Sequence, residues 1–186
     1  MAIRNWAVGA FVALLTAITP TRSHANPIYN FGTNNARITL DQAQDLSPDQ
    51  QKDLICVSLN VYHEARGTSV NNQQGVAWVV KNRMAIKNKS ACAIVYERNG
   101  ARGRAQFSWT VYKHKNTLEQ KSWDQAQQIA YAVLFDSTVK DVTKGSTHFH
   151  EKHVMPVWSS KSKSRVVLGS HVFVRVDSYL NKTTVN

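Results

Sequence analysis

SPDQQKDLICVSLNVYHEARG, residues 47–67, carries the clearest folding signal in the chain, a helix with both ends marked. Ser47 is a typical N-cap residue, Pro48 suits the first helical position, and Gln50 can complete a capping box with Ser47. Apolar residues recur at helical spacing at Leu54, Ile55, Leu59 and Tyr62. Because glycine favours the left-handed C-terminal cap, the pattern predicts a helix that Gly67 closes.

Two further helices and a short sheet are expected downstream. The second helix should start near Asn71 or Asn72, with Val76, Ala77, Val79 and Val80 on one side, and end in the basic region 81–89. A capping box at 122–125 predicts a third helix that ends near Phe135. Residues 147–150 and 166–176 alternate as strands do, with a turn at 169–170. We therefore predict a mainly helical α+β domain, residues 47–186, with a short antiparallel β element near its C-terminus.

The first 25 residues have the pattern of a secretory signal. A positive start at Arg4 precedes an uncharged apolar run from Trp6 to Ile18. Ser23 and Ala25 then place small residues at the two positions that a signal peptidase reads, which predicts cleavage after Ala25. We expect export to the periplasm, cell envelope or exterior. A retained membrane tether and a buried core helix are the alternatives. Residues 26–46 have few large apolar groups and indicate an irregular lead-in.

The charge of the chain points to an anionic partner. The formal net charge is +11, and loss of Arg4 and Arg22 with the signal would leave +9. An exported protein meets anionic cell-wall polymers and membrane surfaces before nucleic acid, so we expect such a surface and no nucleic acid as partner. The alternative is that the charge only confers solubility. We expect a monomer, because no repeat or coiled-coil pattern is present.

Cys56 and Cys92 are the only cysteines. In an oxidising compartment such a pair is more often a structural disulfide than a reactive thiol. Two buried, reduced thiols are the alternative.

Glu64 is the candidate catalytic residue. His63-Glu64 resembles the start of a zinc-protease His-Glu-x-x-His motif, but Gly67 stands where the second histidine would be. Glu64 should lie in the last helical turn, where carbonyl ends disfavour a negative charge and apolar neighbours remove water. Both effects raise a carboxyl pKa, as glycoside cleavage by general acid catalysis requires. The alternative is a surface salt bridge, for instance with Arg66.

One long segment and five short blocks after it form an ordered series of motifs. The segment is CVSLNVYHEARGTSVNNQQGVAWVVKNRM, residues 56–84, with a Glu-Ala-Arg-Gly sequence and a helix that ends in Val-x-Asn-Arg. The five blocks are CAIVY at 92–96, QFSW at 106–109, THFH at 147–150, PVW at 156–158 and GSHVF at 169–173. In motifs and in order, this series resembles the SleB-like cell wall hydrolase family, known from spore-cortex-lytic enzymes.

The resemblance implies a lysozyme-like fold, no cofactor and no metal, and cleavage of the β-1,4 bond after N-acetylmuramic acid in peptidoglycan glycan strands. Glu64 matches the catalytic acid. Thr68 departs from the second acid that members commonly carry, and Ala105 replaces a frequent cysteine, so a disulfide must join Cys56 and Cys92.

The reaction type depends on a second carboxylate. Hydrolysis of glycosides generally uses two carboxylates, and Glu151, in HFHEKH at 148–153, is the only other acid that lies in a matched part of the chain. A lytic transglycosylase can act with Glu64 alone and forms a 1,6-anhydro product. The resemblance and the lack of an evident partner favour the transglycosylase, with two-carboxylate hydrolysis as the alternative.

The matched blocks also supply candidate substrate-binding residues. Amide and hydroxyl groups can bond the sugar substituents, and aromatic faces can stack on sugar rings; core packing is the alternative for Trp109 and Trp158. Because side chains alternate along a strand, His148 and His150 should share one face of the sheet. The candidates are Tyr62, Arg66, Gln106, Ser108, Trp109, His148, His150, Trp158 and His171.

Two rival functions come from different classes. The histidines at 148, 150, 153 and 171, with Glu64, could form the zinc site of an amidase or peptidase, although no recognised zinc spacing is present. A non-catalytic module that binds cell wall or lipopolysaccharide through the basic surface is the second rival.

Overall fold

The computed structural model describes residues 45–98, 103–112, 118–160, 162 and 164–176. The predicted signal and nearly all of the lead-in lie outside these residues. No helix among the described residues is long and apolar enough to span a membrane.

Three long helices form the helical part of the fold. They are α1 (Pro48–Ala65), α2 (Val70–Lys87) and α4 (Gln120–Phe135), and the short α3 (Ala91–Val95) lies between the last two in the chain. Helix α1 packs against all three others. Its buried valines and leucine meet those of α2 and α4 in a common core, whose fully buried members include Leu54, Val57, Val61, Val76, Val79, Val80 and Val133.

The C-terminal part is a three-stranded antiparallel sheet, which confirms the predicted fold class. The strands are β1 (His148–Glu151), β2 (Arg165–Leu168) and β3 (His171–Val174), with β3 in the middle. A one-turn helix, α5 (Val157–Ser160), separates β1 from β2. Gly169 has a φ of +54°, so the predicted turn between β2 and β3 is confirmed and depends on glycine's tolerance of the left-handed region.

The sheet contacts the helices through α2. The ring of Phe173 lies so close to Gly75 that a β-carbon there would approach it to 2.5 Å. Helix and strand can only come this near where one residue has no side chain. This contact sets the position of the sheet beside the N-terminal half of α2.

The ends of α1 are as the sequence predicts. Ser47 and Gln50 form the capping box, and Gly67 follows the helix with a φ of +79°. The disulfide is present between Cys56 and Cys92, with 5.2 Å between the two Cα atoms, and joins α1 to α3.

Helix α2 begins at Val70 with Ser69 as its cap, close to its predicted start near Asn71. The predicted start of α4 is wrong. Helix α4 begins at Gln120, since the Glu119 carboxylate accepts from the backbone N–H groups of Lys121 and Ser122. Ser122 therefore donates to a cap and is not one itself. The short α3, α5 and the 3-10 helix Ser108–Val111 were not predicted.

Candidate active site

Glu64 lies in the last turn of α1, half-buried, and its surroundings favour a neutral carboxyl. Burial is the main cause that raises its pKa to about 7, and the negative charge of Glu151 adds to it. Both causes act because each disfavours an additional negative charge in a poorly hydrated place. At neutral pH a substantial fraction of Glu64 is therefore protonated.

The salt bridge considered as an alternative for Glu64 does not form among the described residues. The guanidinium of Arg66 lies instead over the ring of Tyr62, 5.0 Å from its centroid. Arg66 itself is exposed just beyond the helix end. The carboxyl of Glu64 is thus left without a countercharge from its own helix terminus.

Glu151 ends β1 and brings a second carboxylate into the electrostatic range of Glu64. Its backbone lies opposite His171 in the β1–β3 register, and its side chain accepts from His153 Nε2 at 2.9 Å. The side chain is more than half exposed. Glu151 also acts on His171, because its charge raises the pKa of that imidazole while burial, the larger effect, lowers it.

His171 is held in place by α2. Its Nδ1 lies 2.9 Å from Oδ1 of Asn72, and the amide nitrogen of Asn72 donates to Ser170 Oγ at 3.3 Å. Because an amide oxygen only accepts, Nδ1 of His171 carries the proton. Asn72 is fully buried, so the pair ties the start of β3 to the first turn of α2 beside the end of α1.

His148 and His150 share a face of β1, as parity predicts, and both rings contact Trp158 on α5. The ring centroids are 5.2 Å apart for His148 and 5.6 Å for His150. Burial, together with the charges of Arg83 and Lys87, lowers the pKa of His148 to about 3. His148 is therefore a neutral ring at any physiological pH.

Both ring nitrogens of His150 are already engaged by the protein. Nδ1 lies 2.9 Å from the Glu151 carbonyl oxygen and Nε2 lies 2.7 Å from Ser159 Oγ. Since a carbonyl only accepts, Nδ1 is the donor, and in the neutral ring the Ser159 hydroxyl donates to Nε2. Within the described residues no group of three His, Cys, Asp or Glu side chains could hold a metal ion.

Trp109 is buried beside the end of α1. Its Nε1 donates to Asn60 Oδ1 at 3.0 Å, and its ring stacks on His63 with centroids 4.5 Å apart. One ring face is thus covered by the residue that precedes Glu64, so Trp109 contributes to the packing under the candidate acid. His63 and Asn60 were not singled out from the sequence. The available signals were that His63 directly precedes Glu64 and that Asn60 lies three residues before His63, on the same side of the helix.

Tyr62 joins α1 to α4. Its hydroxyl accepts from the backbone N–H of Glu119 at 2.8 Å, and its ring meets Trp123 edge-on at 6.3 Å. The side chain is buried. A substrate role for Tyr62 stays a prediction beside this evident packing role.

Gln106 is fixed by Arg83, a residue for which no separate role was predicted. Arg83 is buried and donates from Nε to the Thr147 carbonyl at 2.6 Å and from a terminal nitrogen to Gln106 Oε1 at 3.2 Å. Asn82 donates to Asp141 and to the Ser146 carbonyl. The Asn-Arg pair at the end of α2 therefore fixes the chain that leads into β1. Ser108 is exposed at the start of the 3-10 helix.

The fold thus brings Glu64 at the end of α1 into the electrostatic range of Glu151 at the end of β1, and His171 lies on the same sheet face as Glu151. His148, His150 and Trp158 lie together on the opposite face of the sheet. Residues 67–174, more than half of the chain, match the sequence profile of the family described as Cell Wall Hydrolase. The chain belongs to the cell wall hydrolase family, whose members degrade peptidoglycan. No curated protein and no solved structure was found to match it.

The matched region covers only part of the site. It begins three residues after Glu64, so it includes Glu151 and the candidates from Gln106 to His171 but not Tyr62, Glu64 or Arg66. The SleB-like subtype and the lysozyme-like fold stay predictions from the resemblance, as do the roles of all candidate site residues.

Proposed function

We propose that the chain cleaves the β-1,4 bond between N-acetylmuramic acid and N-acetylglucosamine in peptidoglycan, with Glu64 as the general acid. The observation that carries the proposal is the state of Glu64. It is half-buried, has no ion pair among the described residues, and has a pKa near 7. A carboxyl in this state can give a proton to a departing glycosidic oxygen near neutral pH.

The favoured reaction is that of a lytic transglycosylase. Protonated Glu64 donates its proton to the glycosidic oxygen as the bond to the muramyl anomeric carbon breaks. The resulting carboxylate then takes the proton of the muramyl 6-hydroxyl while that oxygen bonds to the anomeric carbon. Glu64 ends protonated, no water is consumed, and the product has a 1,6-anhydro ring.

The second candidate is hydrolysis, and the proximity of Glu151 supports it. In that reaction Glu151 would orient or deprotonate a water at the anomeric carbon, the role that a second carboxylate has in inverting enzymes. The ion pair of Glu151 with His153 and its exposure to solvent weigh against a base already placed for this task. We therefore keep the transglycosylase as the first candidate.

The two rival classes receive less support. A zinc amidase would need imidazole nitrogens that point at one centre, whereas His150 has both nitrogens bound to protein groups and His171 uses Nδ1 on Asn72. A module that only binds the cell wall has no need of a half-buried carboxyl such as that of Glu64, which has no ion pair among the described residues. We further propose that the chain acts on glycan strands as an exported protein.

Product identity tests the proposal. Purified peptidoglycan would be digested with wild type, Glu64→Gln and Glu151→Gln, and the soluble fragments read by mass spectrometry. The transglycosylase predicts muropeptides one water lighter than their reducing-end counterparts from wild type and Glu151→Gln, and none from Glu64→Gln. Reducing ends that vanish in both variants would establish the two-carboxylate hydrolysis. Cleaved stem peptides whose release stops with a chelator would overturn glycoside cleavage.

A further inference from the structure

The outward face of the sheet carries an unusual concentration of exposed apolar side chains. Nine large hydrophobic residues are exposed among the described residues, and five of them fall between residues 154 and 167. We call these five the outer patch: Val154, Met155, Val157, Trp158 and Val167. The most exposed is Val157, at 76%. Isolated exposed apolar residues are common, but a concentration of them marks an interaction surface.

The strand register and contacts place most of these residues together. Val167 on β2 lies opposite Val172, which lies opposite His150 on β1, so the three share one face. Trp158 covers His150 and His148 on that face. The guanidinium of Arg165, also on this face, lies 3.6 Å from Met155 Sδ. The segment 155–158 and the β2 edge therefore form one surface, opposite the face on which Phe173 meets α2.

The charge around the outer patch has one sign. From residue 152 to residue 176 the sequence contains no Asp or Glu. The same stretch carries five cations: Lys152, Lys161, Lys163, Arg165 and Arg175. Arg165, Arg175 and Lys152 are exposed, and none of them forms a salt bridge with a described residue. Lys161 and Lys163 lie outside the described residues.

We propose that the outer patch docks on an anionic lipid membrane, which selects one of the two anionic partners expected from the net charge and is independent of the glycoside cleavage proposed above. Exposed aliphatic side chains can enter the boundary between headgroups and acyl chains, and a tryptophan is suited to that depth. The surrounding cations would meet the anionic headgroups. A sugar polymer fits the patch less well, because valine and methionine offer it no hydrogen bonds. Docking by this face would leave the opposite side of the sheet, where Glu151 and His171 lie, turned away from the lipid.

Co-sedimentation of the full chain with vesicles tests the docking. The probes are vesicles of phosphatidylcholine alone and vesicles with phosphatidylglycerol added. The apolar test variant is Val157→Ser/Val167→Ser, and its control is Val70→Ser/Val111→Ser, which removes two exposed valines elsewhere. We expect the test variant to bind anionic vesicles about tenfold more weakly than wild type, and the control to bind as wild type does.

A charge-matched pair tests the second half of the proposal. Arg165→Gln and Arg98→Gln each remove one exposed positive charge, but only Arg165 contacts the outer patch, through Met155. We expect Arg165→Gln to weaken binding to anionic vesicles and to reduce its salt dependence more than Arg98→Gln does.

Four results would overturn the proposal: no binding of wild type to anionic vesicles, equal binding to both vesicle types, equal losses in test and control variants, or a loss of binding to purified peptidoglycan in place of vesicles. The last result would assign the patch to the wall polymer. Thermal unfolding of each variant confirms that it is folded, and because the readout is binding, its failure is separate from any failure of glycoside cleavage.

Discussion

At the scale of single residues, the proposed activity depends on Glu64, a carboxyl that has no ion pair among the described residues. Glu64 follows His63, whose ring is stacked on buried Trp109, and it faces the charge of Glu151 through space. The position at the end of a helix and the apolar neighbours were enough to predict the direction of its pKa shift. The contribution of Glu151 was not predictable, because the two residues are far apart in the sequence.

Glu64 should cost the protein stability at neutral and alkaline pH. A carboxyl whose pKa rises on folding, here from 4.5 to about 7, is penalised only where it would ionise in the unfolded chain. Glu64→Gln should therefore leave the free energy of unfolding nearly unchanged at pH 4. At pH 8 it should raise that free energy by about 1–2 kcal/mol, less than the full shift implies because the side chain keeps some contact with solvent.

Urea unfolding at the two pH values measures this effect, and Glu97→Gln is its control. Burial raises the pKa of Glu97, but the hydrogen bonds and charges of Lys87 and Lys89 outweigh it and lower the pKa overall. That variant should lose stability at neutral pH and recover toward wild type at acid pH. If Glu64→Gln behaved in the same direction, Glu64 would be ion-paired in the folded protein.

Glu151 should move the alkaline limit of activity to higher pH, in addition to the effect of burial. Because its negative charge raises the pKa of Glu64, Glu151→Gln should lower that pKa. The pH at which kcat/KM falls on the alkaline side should then move to lower values, with the 1,6-anhydro product retained. Glu97→Gln removes the same charge and should leave the limit in place. An unmoved limit in Glu151→Gln would show that Glu151 does not act on the catalytic acid.

At the scale of elements, the contact between α2 and β3 is the joint between the helices and the sheet. Gly75→Ala would usually stabilise a helix by about 1 kcal/mol, but here the new methyl group would meet the Phe173 ring. We expect a loss of about 1–3 kcal/mol in the free energy of unfolding. Phe173→Leu in the same chain should restore part of it, as thermal or urea unfolding can show. Stabilisation by Gly75→Ala alone would contradict the packing.

The helix ends and turns also show which structural features can be predicted from the sequence and which cannot. Helix α1 was predictable at both ends because its cap residues act locally, and the Gly169 turn was predictable for the same reason. The start of α4 was not, because Glu119 caps it, and glutamate is not among the residues that usually cap a helix N-terminus. The one- and two-turn helices depend on tertiary contacts and lack a periodic pattern long enough to detect.

The same distinction applies to the candidate site. The parity of β1 predicted that His148 and His150 share a face, and their common contact with Trp158 follows from it. The roles of Arg83 and Asn82 in fixing residues 141–147 were not predictable, because two of their acceptors are the backbone carbonyls of Ser146 and Thr147, 64 residues away in the sequence. Such contacts leave no signature in the residue type of the acceptor.

At the scale of the whole molecule, the Cys56–Cys92 disulfide joins α1 to the chain that follows α2. It closes a loop of 36 residues, and its removal should lower the free energy of unfolding by about 2–4 kcal/mol. Unfolding of Cys56→Ala/Cys92→Ala beside wild type, each with and without reductant, measures the loss. The reductant should affect only wild type. A response of the double variant to reductant would show that another effect is being measured.

The whole molecule also brings together what the chain separates. The end of α1 supplies Glu64, the first turn of α2 holds His171 through Asn72, and the end of β1 supplies Glu151. The disulfide and the Gly75–Phe173 contact fix the elements that carry these groups. In the proposed reaction the chemistry lies in the Glu64 carboxyl, and the surrounding fold limits the contact of that carboxyl with water.

The most direct test is the rate of peptidoglycan solubilisation by Glu64→Gln beside Glu97→Gln. Glutamine has nearly the same shape but no proton to give, and general acid catalysis contributes about a hundredfold to ten-thousandfold in rate. We predict that Glu64→Gln loses at least about a hundredfold in kcat/KM, while it still binds peptidoglycan and unfolds no earlier than wild type. Glu97→Gln should keep activity near that of wild type. Wild-type rates in a folded Glu64→Gln protein would contradict the central role of Glu64.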